Sequence, residues 1–200
     1  PDLLPRQRRI DASALPDQAE RFAMAARGYE LLVAHGYVPV GFDHFALPGD
    51  ALAKATRAGQ LRRNFQGFTE DAAPALVGLG ASAITCLPDV IVQNEKNAGR
   101  YRMMLSQHRM PGALGIRRDA PTRELGTIVE ALLCQGVARI GAGRALAMAG
   151  ELAPFVARGL VRIEDDTLHL APGALPYART IAALFDPWRQ QSVRRFSSAV

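Results

Sequence analysis

The residue pattern predicts an α/β chain that gives way to a mainly helical unit carrying a β-hairpin. Three observations carry this expectation. Residues 17–35 place apolar side chains at helical spacing and run directly into an extended stretch from Tyr37 to Phe42, the helix-then-strand rhythm of an α/β unit. Met110-Pro111-Gly112 interrupts the chain, and the pattern changes near Gly115, which divides the sequence into residues 1–114 and 115–200. In the second part, Leu160 to Glu164 and Thr167 to Leu170 alternate with period two around Asp165-Asp166 and stand between helical patterns.

Each element has its local reason. Asp17 can cap the first helix, Phe22, Ala26, Tyr29 and Val33 share one face, and Gly36 is a natural stop. Pro39 places the following strand, 37–42, at a sheet edge or a strand start. Asp43 and His44 at its end are candidate functional groups. Alternation along an extended chain sends their side chains to opposite faces, so they are not expected to pair. Residues 49–60 read as a short helix with Asp50 as N-cap, and 95–107 as a helix with Tyr101, Met104 and Leu105 on one stripe. Pro121 opens a helix over 121–135 whose Leu125, Ile128, Val129, Leu132 and Leu133 make a broad apolar face. A helix over 143–158, interrupted or shifted by Gly150 and Pro154, the hairpin, and a helix over 174–185 complete a winged-helix-like outline before a basic tail.

The composition narrows the function classes. Of 200 residues, 48% are hydrophobic and 22% charged, the balance of an ordinary globular chain without a disorder signature. No apolar run approaches the roughly 18 residues that span a bilayer, so a cytoplasmic protein without membrane contact is expected. Two cysteines, Cys86 and Cys134, match no zinc or iron-sulfur spacing and read as buried thiols in a reducing compartment. A net charge of +5 admits anionic partners. The basic residues are dispersed in short groups such as Arg6 to Arg9, Arg62-Arg63 and Arg194-Arg195, and Glu164, Asp165 and Asp166 make the hairpin a poor phosphate contact, so nucleic acid is not expected. The opening PDLLPRQRRID has no element start, and the chain is expected to be the C-terminal part of something longer.

Residues 61–85, LRRNFQGFTEDAAPALVGLGASAIT, suit neither helix nor strand. Phe65-Gln66 offers a flat apolar face beside an amide that both donates and accepts, and Gly67, Gly78 and Gly80 permit positive φ or close backbone approach. The stretch reads as ligand-facing.

Three motifs agree in order and spacing with one family: GFDHFALP at 41–48, LRRNFQGFT at 61–69 and GLGASAI at 78–84. Together they resemble the C-terminal half of oxygen-independent coproporphyrinogen III oxidase, a radical S-adenosylmethionine (SAM) family. The resemblance implies the C-terminal part of a partial (β/α) radical-SAM barrel, followed by a mainly helical, winged-helix-like C-terminal domain. It implies an N-terminal half, outside this sequence, with a CxxxCxxC site for a [4Fe-4S] cluster. No such motif stands here, so the chain alone is expected to hold no metal and to be inactive. In the family, SAM cleavage yields a radical that takes a hydrogen from a propionate. Two oxidative decarboxylations then give the vinyl groups of protoporphyrinogen IX.

Carried over residue by residue, the resemblance places Phe65, Gln66 and Ile84 at SAM, with Gly78 and Gly80 letting the chain approach it closely. Arg62 and Arg63 are expected to hold substrate propionates, because guanidinium matches carboxylate. No catalytic residue is assigned. The implied partners are coproporphyrinogen III, the N-terminal half of the same enzyme and an electron donor, in a monomer at full length. The chain departs from the family in Glu70 to Pro74, where a TxGxxD-type link is usual. Two other readings are a related radical-SAM haem chaperone, from whose YExSNFA segment Phe42 to Ala46 differs, and a winged-helix nucleic-acid binder.

Overall fold

Helix α1 (Gln18–Ala34) opens with a reciprocal cap: Asp17 accepts the Glu20 N–H, and the Glu20 carboxylate accepts the Asp17 N–H. The computed structural model describes Asp11 and residues 14–188. The expected basic groups at Arg6 to Arg9 and Arg194-Arg195 lie outside the described residues.

The single strand expected over 37–42 is a hairpin instead. Strands β1 (Val38–Val40) and β2 (His44–Ala46) pair antiparallel around a turn at Gly41, Phe42 and Asp43. Gly41 has φ 59°, and a Cβ there would lie 2.0 Å from Phe68 Cζ, so only glycine lets the turn and the ring coexist. Helix α2 (Ala51–Arg57) follows, with Asp50 accepting the Leu52 N–H. The small hairpin of β3 (Arg62–Arg63) and β4 (Phe68–Thr69) comes next. Val40, Ala46, Ala53, Ala55 and Leu61 form a compact core, to which Cys134 is added from far along the chain.

A second sheet has the order β5-β6-β7, from β5 (Ile84–Cys86), β6 (Val90–Asn94) and β7 (Gly112–Arg117), with α3 (Ala98–Ser106) between the last two. Strand β7 was not expected and runs through the position of the pattern change at 114/115. Its six residues are all exposed, so no alternation marks it. Its glycines, which read as breakers, let it lie close against β6: a Cβ at Gly112 would meet Val92 Cγ1 at 2.9 Å, beside a register shift at Gln93/Asn94. Every strand pairing among the described residues is antiparallel, so the parallel staves expected of a barrel segment are not among them.

Helix α4 (Ala120–Gln135) is capped by Asp119 and ends at Gly136, φ 70°. Its predicted apolar stripe is the one that packs. The helix expected over 143–158 is broken at Met148 into α5 (Ala142–Ala147) and α6 (Ala149–Ala157). The expected hairpin is present as β9 (Val161–Glu164) and β10 (Thr167–Leu170), with Asp165 at φ 55°, and β8 (Val137–Arg139) adds an unexpected third strand beside β10. The final helix is a mixed one, with only α7 (Ala178–Ala182) fully α-helical between 3-10 turns at Pro172–Tyr177 and Ala183–Phe185. Ile128, Leu132, Ile140, Leu152, Leu168 and Phe185 centre the larger core.

Replacing Gly41 by alanine should cost about 2 kcal/mol or more, read as a lowered urea midpoint, because the new methyl group displaces the Phe68 ring. Hydrogen bonds from Thr122 hold the Asp119 carboxyl below the usual carboxylate range. Its stabilisation is therefore present above that range and lost as pH falls through the lowered value. The stability gap between the wild-type protein and Asp119→Ala should hold from neutral pH to about 5 and close below about 4, measured by urea titration at each pH.

Candidate functional site

The β3–β4 hairpin presents Phe65 and Gln66 at its tip. Asn64 shapes the loop: its Oδ1 accepts the N–H groups of Gln66 at 2.8 Å and Gly67 at 3.3 Å, and its own N–H donates to the Gly67 carbonyl at 2.9 Å. Gly67 has φ 145°. Phe65 is left 52% exposed and Gln66 is exposed, with neither side chain taken up by the chain's own packing.

The root of the hairpin is fixed by α4. Glu130 Oε1 accepts from Arg62 Nε at 2.8 Å and from the Arg63 N–H at 3.1 Å, and Gln135 donates to the Leu61 carbonyl at 2.9 Å. Glu130 raises the Arg62 pKa further, so that guanidinium is a committed cation. Arg62, Arg63 and Phe65 line one groove of about 440 Å³ between this hairpin and α4, with Cys86, Arg118 and Leu133 on its other walls. Arg118 spends its guanidinium on the Leu87 and Pro88 carbonyls, at 2.6 and 3.1 Å.

Gln66 and Ile84 do not line that groove. Ile84 is half-buried on β5, and the glycine run beside it has a structural use. A Cβ at Gly78 would lie 2.7 Å from the Ile84 carbonyl carbon, so the close approach expected toward a ligand is made, at Gly78, to the backbone of Ile84 itself. Asn94, only 7% exposed, donates to the carbonyls of Gly78 at 3.1 Å and Gly80 at 3.0 Å, while the Gly80 N–H donates to the Tyr101 hydroxyl at 3.1 Å. Sequence reasoning missed Asn94, whose only signal is its place as the second of two amides that close the apolar run Val90 to Val92.

Asp43 and His44 do pair, against expectation: His44 Nδ1 lies 2.7 Å from Asp43 Oδ1. Alternation did not apply because Asp43 belongs to the turn and only His44 to β2. The His44 ring stands edge-on to Phe68 at 5.2 Å, and Phe42 is 5.5 Å from the same ring. Arg63 stacks over both phenylalanines, and Arg179 of α7, which carried no sequence signal, lies over Phe42.

The thiols do not suit metal chemistry. Burial, with Glu130 nearby, pushes the Cys134 thiol up to about 12. No group of three or more potential ligands occurs among the described residues.

No protein-family model matches the chain. Oxygen-independent coproporphyrinogen III oxidase from Bradyrhizobium diazoefficiens is 36% identical over 209 residues, covering 100% of this chain and 46% of its own length. The enzyme of that name from Paracoccus denitrificans is 37% identical, covering 93% and 43%, and that from Thermostichus vulcanus 36%, covering 100% and 65%. Among solved structures, the Escherichia coli coproporphyrinogen III oxidase, described as a radical SAM enzyme, superposes with a TM-score of 0.84 at 28% identity over 91% of this chain and 44% of its own. The chain corresponds to the C-terminal part of oxygen-independent coproporphyrinogen III oxidase. It spans less than half the length of two of the three curated relatives named. No helix among its described residues is long and apolar enough to cross a membrane.

Asn94→Ala should cost about 1–3 kcal/mol, since two carbonyls lose their donor in a buried setting, and should speed hydrogen exchange at the Gly80 N–H.

Proposed function

We propose that this chain forms one wall of the SAM and substrate site in an oxygen-independent coproporphyrinogen III oxidase, which decarboxylates two propionates of coproporphyrinogen III to vinyl groups. The observation that supports the reading best is the Phe65-Gln66 tip, held by the Asn64 hydrogen bonds yet left exposed among the described residues. An aromatic plane and a neighbouring amide suit a nucleoside's ring and its polar edges. Ile84, half-buried on β5, would add an aliphatic contact. SAM, when bound, supplies hydrogen abstraction at the propionate. The residues here would bind and orient SAM and limit access of water.

The charge arrangement separates the two arginines. Arg62 is paired with Glu130 and acts chiefly as an anchor, whereas the Arg63 guanidinium has no carboxylate partner among the described residues and is the better group to hold a propionate. In this reading residues 1–114 are the C-terminal portion of the radical-SAM catalytic region, and residues 115–200 are a helical, winged-helix-like unit. The helix–hairpin–helix order from α4 to α7 favours that reading. The cluster ligands, the electron donor and the rest of the site belong to the remainder of such an enzyme.

In the full-length enzyme with its cluster reconstituted, Phe65→Ala and Gln66→Ala should each raise the Kd for SAM by about tenfold, roughly 1.4 kcal/mol, in equilibrium dialysis. Wild-type affinity and turnover in both variants would remove these residues from the site.

A further inference from the structure

Three elements meet at the paired rings of Phe42 and Phe68. From β3, Arg63 brings its Cζ to 5.7 Å from the Phe42 centroid and 5.6 Å from that of Phe68. From α7, Arg179 brings its Cζ to 5.9 Å from the same Phe42 centroid. From β2, His44 packs edge-on against Phe68 and is tied back to Asp43, which fixes the second ring. Both arginines are exposed, and among the described residues neither guanidinium has a hydrogen bond or ion pair. The nearby carboxylates are already used: Asp43 faces His44, and Glu130 accepts from Arg62 and from the Arg63 backbone.

Each cation gains from the electron-rich face of the ring. Two cations sharing one ring also repel each other, and an anion between them relieves that repulsion. Guanidinium forks match the two oxygens of a carboxylate, and the paired rings offer an apolar bed for whatever carries it. We propose that Arg63 and Arg179, set on Phe42 and Phe68, form a binding site for a carboxylate borne by an organic ligand. The inference rests on the reading above for the ligand's identity: the carboxylate comes from a propionate of the tetrapyrrole or from the methionine portion of SAM. It assigns a ligand contact to α7, an element to which that reading gave none.

The test uses the full-length, reconstituted enzyme, with Arg63→Gln, Arg179→Gln and Arg179→Lys. The probes are coproporphyrin III, the stable oxidised tetracarboxylate, and SAM, each measured by equilibrium binding at fixed salt. A roughly tenfold weaker coproporphyrin affinity in both glutamine variants, with partial recovery in Arg179→Lys and SAM unchanged, supports the site and names the propionate. Weakened SAM binding with coproporphyrin unchanged supports the site and names the methionine carboxylate. Unchanged affinity for both probes in both glutamine variants overturns the proposal, as does a wild-type enzyme that binds neither. Turnover of coproporphyrinogen III is read separately on the wild-type enzyme. Its absence alongside arginine-dependent coproporphyrin binding defeats the functional reading and leaves the carboxylate site standing. Arg179 is exposed, so its replacement should leave the thermal midpoint close to that of the wild type.

Discussion

One carboxylate oxygen on α4 organises the site. Glu130 Oε1 accepts from Arg62 Nε and from the Arg63 N–H, so it holds both a side chain and the main chain of β3. A half-exposed ion pair by itself contributes little, about 1 kcal/mol or less. Its weight here comes from what it orients. The main-chain bond fixes the strand, Gln135 fixes the residue before it, and the hairpin tip carrying Phe65 follows from that placement. Because Arg62 takes up the charge of Glu130, Arg63 stands free to face the Phe42 and Phe68 rings. The two adjacent arginines thus have different surroundings, one held by a carboxylate and the other laid over aromatic rings.

Helix α4 can do this because it has two packed faces. Ile128 and Leu132 enter the larger core with the β8-β10-β9 sheet, while Cys134 enters the smaller core with Val40, Ala46 and Leu61. The buried thiol, its pKa pushed up to about 12, is a packing group on the second face.

Much of this was legible in the sequence where a local rule operates. The caps at Asp17 and Asp50, the stripe of α4 and the β9–β10 hairpin all depend on near neighbours, and they stand where the residues placed them. The failures share a different cause. Strand β7 was hidden because its glycines serve β6, which lies far from it in local pattern, and because neither face is buried. The Asp43–His44 contact was misjudged because a turn at Gly41 replaced an assumed strand, and that turn is dictated by the Phe68 ring across the core. The motif at 61–69 forms one small hairpin, yet the separation of its two arginines depends on Glu130, which no spacing rule connects to them. Arg179 and Asn94 belong to the same class: each matters through a partner distant in the chain.

The Glu130–Arg62 contact joins residues 68 apart, and the Gln135–Leu61 bond residues 74 apart. Strands β3 and β4 have two residues each, too few to persist as an isolated hairpin in water. Closing so long a loop has an entropic cost that must be met before the contacts form. The hairpin tip is therefore among the last parts of the molecule to acquire its shape, and during synthesis it waits for α4 to leave the ribosome. The shape of the hairpin tip is set by the folding of a helix that the early motif cannot influence.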